Sequence, residues 1–166
     1  MVICLIAALV LALSYEATEG RIERQRMDEV NRSLESIFPQ ADSYEKVIAG
    51  GTTYYKAEKN GKLKGHILKV TAEGYGGPIV MMVGLGLDKK ITGIVVLEHL
   101  ETPGLGAKIV EIKKGQKKPW FPEQFIGKRP QDLKLGGSVQ AITGATISSK
   151  AVVDAVKKRA ASFLAE

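Results

Sequence analysis

The end of the chain has the apolar spacing of an amphipathic helix. After residue 150 the apolar side chains are three and four positions apart, which puts them on one helix face; they are Val152, Val153, Val156, Ala160, Phe163 and Leu164. Ser148 and Ser149 stand directly before this run. They are natural N-caps, because a serine hydroxyl accepts a hydrogen bond from a free backbone N–H at a helix start. The pattern predicts a C-terminal helix.

A second helical period runs from Glu19 to Phe38. Its apolar residues share one face, with arginine and glutamate elsewhere; they are Met27, Val30, Leu34, Ile37 and Phe38. Pro39 ends this helix, since the residue before a proline is disfavoured in the helical conformation. We expect the apolar face to pack onto the following domain, with a partner subunit as the alternative.

Residues 1–13 are almost wholly apolar and have no charged side chain. A helix that spans a membrane needs about 20 apolar residues, so this run suffices only with help from the residues around it. A signal peptide is the competing interpretation, but the run lacks a basic start and a clear small-x-small cleavage site. We expect an uncleaved transmembrane anchor at 1–18 and a juxtamembrane helix at 19–40.

The middle of the chain reads as strands joined by short turns. The strand-like runs are Tyr44 to Ala49, Thr52 to Glu58, Leu63 to Thr71, Ile79 to Leu87, Ile91 to Leu97 and a short one at Ser138 to Ile142. Asn60-Gly61 is a hairpin turn, and short turns indicate antiparallel neighbours. Strands do not alternate with helices, which speaks against a Rossmann or flavodoxin arrangement. The predicted fold is α+β: an N-terminal transmembrane helix and one domain, 41–166, with a bent antiparallel sheet flanked by helices.

Composition narrows the possible functions. Of 166 residues 24 are basic and 18 acidic, which gives a formal charge of +6. The densest basic run, Lys113 to Lys118, has no interleaved aromatic residues, so we expect no nucleic-acid partner. The single cysteine, Cys4, excludes an intrachain disulfide and a cysteine-ligated cluster. Two histidines do not supply a metal-ligand set. Electron transfer by this chain would need an organic cofactor.

The turn from Thr143 to Thr146 has the composition of a phosphate anchor. A helix N-terminus offers free N–H groups and the positive end of the helix dipole, which favour a bound phosphate. Gly144 and Ala145 leave the backbone bare, so a phosphate can approach the Thr146 hydroxyl. Plain helix capping is the alternative.

Two further glycine-rich turns allow a functional and a structural interpretation. Gly104 and Gly106 let backbone N–H groups approach a planar ring, or they only make a rigid loop. In GYGGP, from Gly74 to Pro78, Tyr75 either stacks on such a ring or belongs to a simple strand connection. Lys108 either pairs with a phosphate or is an exposed lysine.

Three strings resemble a known family and occur in the order found there. TGATISS resembles the flavin-attachment motif of the FMN-binding domain family. HLETPGLGAKI, from His99 to Ile109, resembles its second signature, and GYGGPIVMMVGL, from Gly74 to Leu85, the strand and turn before it. Within that family the chain looks like the G subunits of Rnf electron transport complexes. Their relatives are the C subunits of sodium-pumping NADH:quinone reductases.

The resemblance implies FMN, joined as a phosphoester to the Thr146 hydroxyl by a separate flavin transferase that uses FAD. The other cofactor-binding residues that it implies are Thr143, Gly144, Ala145, Ser148, Ser149, Glu101, Thr102, Gly104, Leu105, Lys108 and Tyr75. The family commonly has an acidic residue three positions before Thr143, where this chain has Gln140. We expect slower modification if the transferase reads that carboxylate.

The implied function is electron transfer in an Rnf-type complex, which exchanges electrons between ferredoxin and NAD and couples this to ion translocation. The chain would be a subunit of that oxidoreductase, with no catalytic residues and no metal of its own. The implied location is the cell inner membrane, with a single pass and an extracytoplasmic flavin domain. The positive-inside tendency favours the cytoplasmic side instead, because three basic residues follow the span: Arg21, Arg24 and Arg26. The alternatives are the quinone-reductase C subunit and a membrane-anchored binding module in which TGATISS only caps a helix.

Overall fold

The computed structural model describes residues 2–49 and 52–165 and divides the chain into two units, Met1–Arg32 and Ser33–Glu166. Helix α1, Val2–Ile37, runs through the described part of the first unit, and its last turn belongs to the second. Among the helices within the described ranges, none is long and apolar enough to cross a membrane.

The predicted limits at 1–18, 19–40 and 41–166 stay predictions. The predicted ranges include four residues that lie outside the described ones: Met1, Gly50, Gly51 and Glu166.

Five antiparallel strands form one sheet in chain order. They are β1 (Ser43–Ala49), β2 (Thr52–Lys59), β3 (Lys62–Glu73), β4 (Pro78–Gly86) and β5 (Ile91–His99). Asn60 and Gly61 both have positive φ, 52° and 69°, as a two-residue type I′ hairpin requires. The five predicted strands of the meander and the antiparallel α+β fold are confirmed.

The main core lies between one face of this sheet and helix α3, Thr146–Ala165. Alternate residues of β3 and β4 point into it, because side chains of a strand alternate between the two faces; they are Leu68, Val70, Ala72, Ile79, Met81, Val83 and Leu85. Helix α3 contributes Val152, Val153, Val156 and Ala160, four of its six predicted apolar positions. Phe163 packs at the edge of the core, and Leu164 is exposed.

The opposite face of the sheet is covered by the end of α1. Leu34, Ile37 and Phe38 are buried. They fit because the sheet has glycines below them: a Cβ on Gly84 would lie 2.2 Å from Ile37 Cγ2, and one on Gly65 would lie 2.5 Å from Phe38 Cζ. The helix ends at Ile37, just before Pro39, as predicted.

The predicted strand at Ser138 to Ile142 is wrong, since only an isolated bridge joins Val139 to Leu135. Backbone groups in this segment find partners other than a neighbouring strand. The Val139 N–H donates to the Lys134 carbonyl at 3.1 Å, and the Gln140 N–H donates to the Gln124 side-chain oxygen at 2.8 Å. A tight turn and a side-chain amide therefore replace the strand ladder.

Candidate functional site

Helix α3 begins at Thr146, directly after a turn at Gly144, whose φ of +79° suits glycine. The Ala145 N–H donates to the Ile142 carbonyl at 2.9 Å and closes the turn. Ser148 and Ser149 therefore lie inside the first turn of the helix, and the prediction that they are N-caps is wrong. The cap position is Ala145, which has no side-chain oxygen.

Ser149 instead fixes the turn from inside the helix. It is fully buried, and its Oγ donates to the Ala145 carbonyl at 2.9 Å. The same oxygen accepts a hydrogen bond from the Ile142 N–H at 3.0 Å. This hydroxyl therefore joins the chain before the turn to the helix after it.

Ser148 makes the other buried contact of this helix start. Its hydroxyl donates to Glu101 Oε2 at 2.5 Å, and Glu101 is only 5% exposed. The second carboxylate oxygen, Oε1, accepts a hydrogen bond from the Gly76 N–H at 3.1 Å. One carboxylate therefore ties together the β3–β4 turn, the loop after β5 and the start of α3.

Glycines make room for this carboxylate. A Cβ on Gly106 would lie 1.9 Å from Glu101 Oε2, and a Cβ on Gly74 would lie 2.0 Å from Oε1. Real side chains do not approach that closely, so both positions exclude any larger residue unless Glu101 moves. The bare backbone predicted for these turns thus serves the packing of Glu101.

A pocket of about 450 Å³ opens where the three segments meet. It is lined by Tyr75, Glu101, Thr102, Leu105, Gly106, Gly144, Ala145, Thr146, Ile147 and Ser148. Eight of these ten residues are among the twelve that the family resemblance implies. The segments come from positions 75, 101–106 and 144–148, so only the fold brings them together.

The remaining four predicted residues do not line the pocket. Thr143 is exposed beside it, and Ser149 is buried behind it. Gly104 has a φ of +76° and shapes the loop, while Lys108 is half-buried in the short 3-10 helix Gly106–Val110.

Gly106 and Ile147 are the two lining residues outside the twelve, and Ile147 is the one that the sequence analysis did not name. It is 58% exposed on the outer side of the first turn of α3. The sequence did contain a signal for it. Ile147 is an apolar residue directly after Thr146, and it does not lie on the apolar face of the predicted helix.

The sequence predicts no metal site. The histidine that matters most for this prediction is His99, two residues before Glu101. Its Nδ1 accepts a hydrogen bond from the Glu101 N–H at 3.3 Å, so this nitrogen fixes the loop. Over the part of the chain that the structure describes, no three histidine, cysteine or acidic side chains are grouped as metal ligands would be.

The lining suits a planar aromatic ligand that ends in a phosphate. Tyr75, Leu105 and Ile147 are 73%, 46% and 58% exposed, and such apolar surface around a pocket favours a flat ring. The start of α3 offers free N–H groups, and no side chain on Gly144 stands in the way of a phosphate. Fold and pocket together define a small α+β domain for a phosphate-bearing ring cofactor.

Comparison with known proteins agrees with this class. The FMN-binding domain family matches residues 74–161. The chain is 36% identical to the G subunit of the ion-translocating oxidoreductase complex of Methanosarcina acetivorans, over 94% of this chain and 86% of the relative. It is 31% identical to the G subunit of the proton-translocating ferredoxin:NAD(+) oxidoreductase complex of Clostridium ljungdahlii, over 93% of this chain and 83% of the relative. The chain belongs to the family of G subunits of ion-translocating oxidoreductase complexes, and it contains an FMN-binding domain.

A solved structure shares the fold. The crystal structure of NqrC from Shewanella oneidensis matches with a TM-score of 0.52 and 23% identity, over 72% of this chain. The match covers 65% of the NqrC chain, which is less than two thirds of it. The family expected from the three sequence strings is thus confirmed, and the G subunits match over more of the chain than NqrC does.

Proposed function

We propose that this chain carries FMN covalently, as a phosphoester on the Thr146 hydroxyl, and relays electrons within an Rnf-type complex. The observation that supports this most directly is the pocket at the start of α3, where Thr146 is exposed next to the bare backbone of Gly144 and Ala145. A phosphate on this hydroxyl would lie at the helix N-terminus, where the helix dipole favours negative charge.

Attachment requires an external enzyme. In the balanced reaction the Thr146 oxygen forms a bond to the phosphorus of the FMN half of FAD, the pyrophosphate bond breaks, AMP leaves, and the hydroxyl proton is lost to a base. A threonine hydroxyl is a weak nucleophile without such a base. Among the pocket-lining residues only Glu101 is a carboxylate, and it is already hydrogen-bonded to Ser148 and Gly76. We therefore propose a flavin transferase as the maturation partner.

The rest of the pocket orients the ring. Tyr75, Leu105 and Ile147 offer the apolar surface, and Thr102 and Glu101 line the side formed by the loop after β5. Lys108 and Gly104 support that loop from outside the lining. Bound FMN would supply the redox chemistry, and these residues would supply position and electrostatic environment.

The place of the chain in a complex is proposed from its relatives. The Clostridium ljungdahlii relative is named as part of a ferredoxin:NAD(+) oxidoreductase complex that translocates protons. We propose the same pair of electron carriers here, other subunits of that complex as partners, and a single-pass anchor at 1–18 in the cell inner membrane with the flavin domain outside the cytoplasm. Covalent attachment would prevent loss of the cofactor on that side.

The test is flavin fluorescence of the denatured protein on a gel, after co-expression with a flavin transferase. We expect a fluorescent wild-type band and no fluorescence for Thr146→Val. The matched control is Thr71→Val, which removes an exposed hydroxyl outside both TGATISS and the pocket lining and should keep the fluorescence.

The other results are equally clear. A dark wild-type band would refute covalent flavin and favour a binding module in which this turn only starts a helix. A fluorescent Thr146→Val band would move the attachment to another residue.

A further inference from the structure

We infer that Glu101 sets the redox potential of the bound flavin through a buried, uncompensated negative charge. This inference rests on the proposed function. It assigns to Glu101 a role beyond lining the pocket: its charge makes the flavin harder to reduce.

Hydrogen bonding around Glu101 fits an ionised carboxylate. Both of its oxygens act as acceptors, Oε2 from the Ser148 hydroxyl and Oε1 from the Gly76 N–H. An ionised carboxylate has only acceptors, and both of these neighbours can supply a donor to it. The 2.5 Å bond from Ser148 has the length of an O–H group that donates to a charged oxygen.

Within the described residues, no salt bridge neutralises this carboxylate. The salt bridges found in the described part of the chain join Lys56 to Glu45, Lys90 to Asp88 and Lys150 to Asp154, and none includes Glu101. The stabilising groups are neutral donors and the first turn of α3, whose positive dipole end amounts to about half a charge. The carboxylate therefore keeps a net negative field.

Burial makes that field effective inside the pocket. Glu101 is 5% exposed and lines the pocket wall. Water and salt screen a buried charge much less than an exposed one. Since reduction adds negative charge to a flavin, a fixed carboxylate beside it disfavours the reduced form and lowers the midpoint potential.

The test is the midpoint potential of the flavin-loaded full-length chain, measured by spectroelectrochemistry for wild type and Glu101→Gln. The amide has the shape of the carboxylate and its oxygen can still accept a bond from Ser148 or Gly76, so mainly the charge is lost. We expect a more positive potential in Glu101→Gln, and the difference should persist at high ionic strength.

A control variant tests whether the position of the lost charge matters. Glu98→Gln makes the same charge change at an exposed position outside the pocket lining, and its potential should stay at the wild-type value.

Each outcome separates this inference from the proposed function. If wild type retains no flavin, the proposed function fails. If Glu101→Gln retains flavin and its potential equals that of wild type, or moves no further than that of Glu98→Gln, the inference about Glu101 is overturned and the flavin carrier stands. A shift that vanishes at high ionic strength would also overturn it, because it would indicate a screened surface charge.

Discussion

Ser149→Ala tests how the attachment turn is held in place. The Ser149 hydroxyl is the acceptor for the Ile142 N–H, and both residues are buried, at 0% and 1% exposure. The variant leaves that N–H without its partner in a place that water does not reach. The Ala145 carbonyl keeps a partner, because the Ser149 N–H donates to it at 3.0 Å.

The size of the expected loss in stability follows from one unsatisfied donor, the Ile142 N–H. An unsatisfied buried N–H costs about 1–3 kcal/mol. Alanine returns up to about 0.5 kcal/mol through its higher helix propensity. We expect a net loss of about 1–2 kcal/mol in the free energy of unfolding, which with a urea slope of about 1–3 kcal/mol per M lowers the midpoint by about 0.3–2 M.

The assay is urea unfolding followed by the fluorescence of Trp120, the only tryptophan, which packs against the core. Ser162→Ala is the matched control: the same change on an exposed position of the same helix, expected within about 0.5 kcal/mol of wild type. Equal midpoints for the two variants would refute the structural role of the Ser149 hydroxyl. Flavin attachment to Ser149→Ala should also be slower, since the turn before Thr146 is less fixed.

Three further predictions concern packing and charge. Gly106→Ala places a methyl group 1.9 Å from the present position of Glu101 Oε2, so we expect Glu101 to be displaced and less flavin to be retained. The measurement is the ratio of flavin to protein absorbance, and an unchanged ratio would contradict this expectation. Gly84→Ala meets Ile37 at 2.2 Å and should destabilise the fold by about 1–3 kcal/mol in urea, whereas Gly137→Ala, whose nearest neighbour is 3.6 Å away, should cost much less. Burial, and secondarily Lys56, lower the pKa of His66 below its usual 6.5, so the neutral form is favoured on folding. The contribution of His66 to stability is then complete above pH 6.5 and is lost as the pH drops through the folded pKa. His66→Gln should therefore lose less of its urea midpoint than wild type between pH 7.5 and 5. Parallel plots of midpoint against pH for the two proteins would refute this role of His66.

The sequence by itself determined the regular elements. Strand-like runs bounded by short turns mark β1 to β5, and apolar side chains recur at helical spacing in α3; both signals are local in the sequence. Asn60-Gly61 determined a hairpin because few other pairs tolerate positive φ at both positions. The three family strings also pointed to eight of the ten pocket residues.

Local reasoning failed where a distant partner decides the conformation. Ser148 and Ser149 look like helix caps in the sequence, but both lie inside the helix. The Ser148 hydroxyl donates to Glu101, 47 positions earlier, and the Ser149 hydroxyl accepts a hydrogen bond from the Ile142 N–H. The segment from Ser138 to Ile142 looks like a strand, but the side chain of Gln124 takes the hydrogen bond of Gln140 that a strand neighbour would have received.

Only the tertiary structure decided the role of Glu101. Its partners Gly76 and Ser148 are 25 and 47 residues away in the chain, and the glycines that make room for it lie in two different turns. No periodicity or motif spacing encodes such a contact, because it depends on how the sheet and α3 pack. The sequence determined which turns are rich in glycine and hydroxyl groups, and packing determined that one buried carboxylate holds them together.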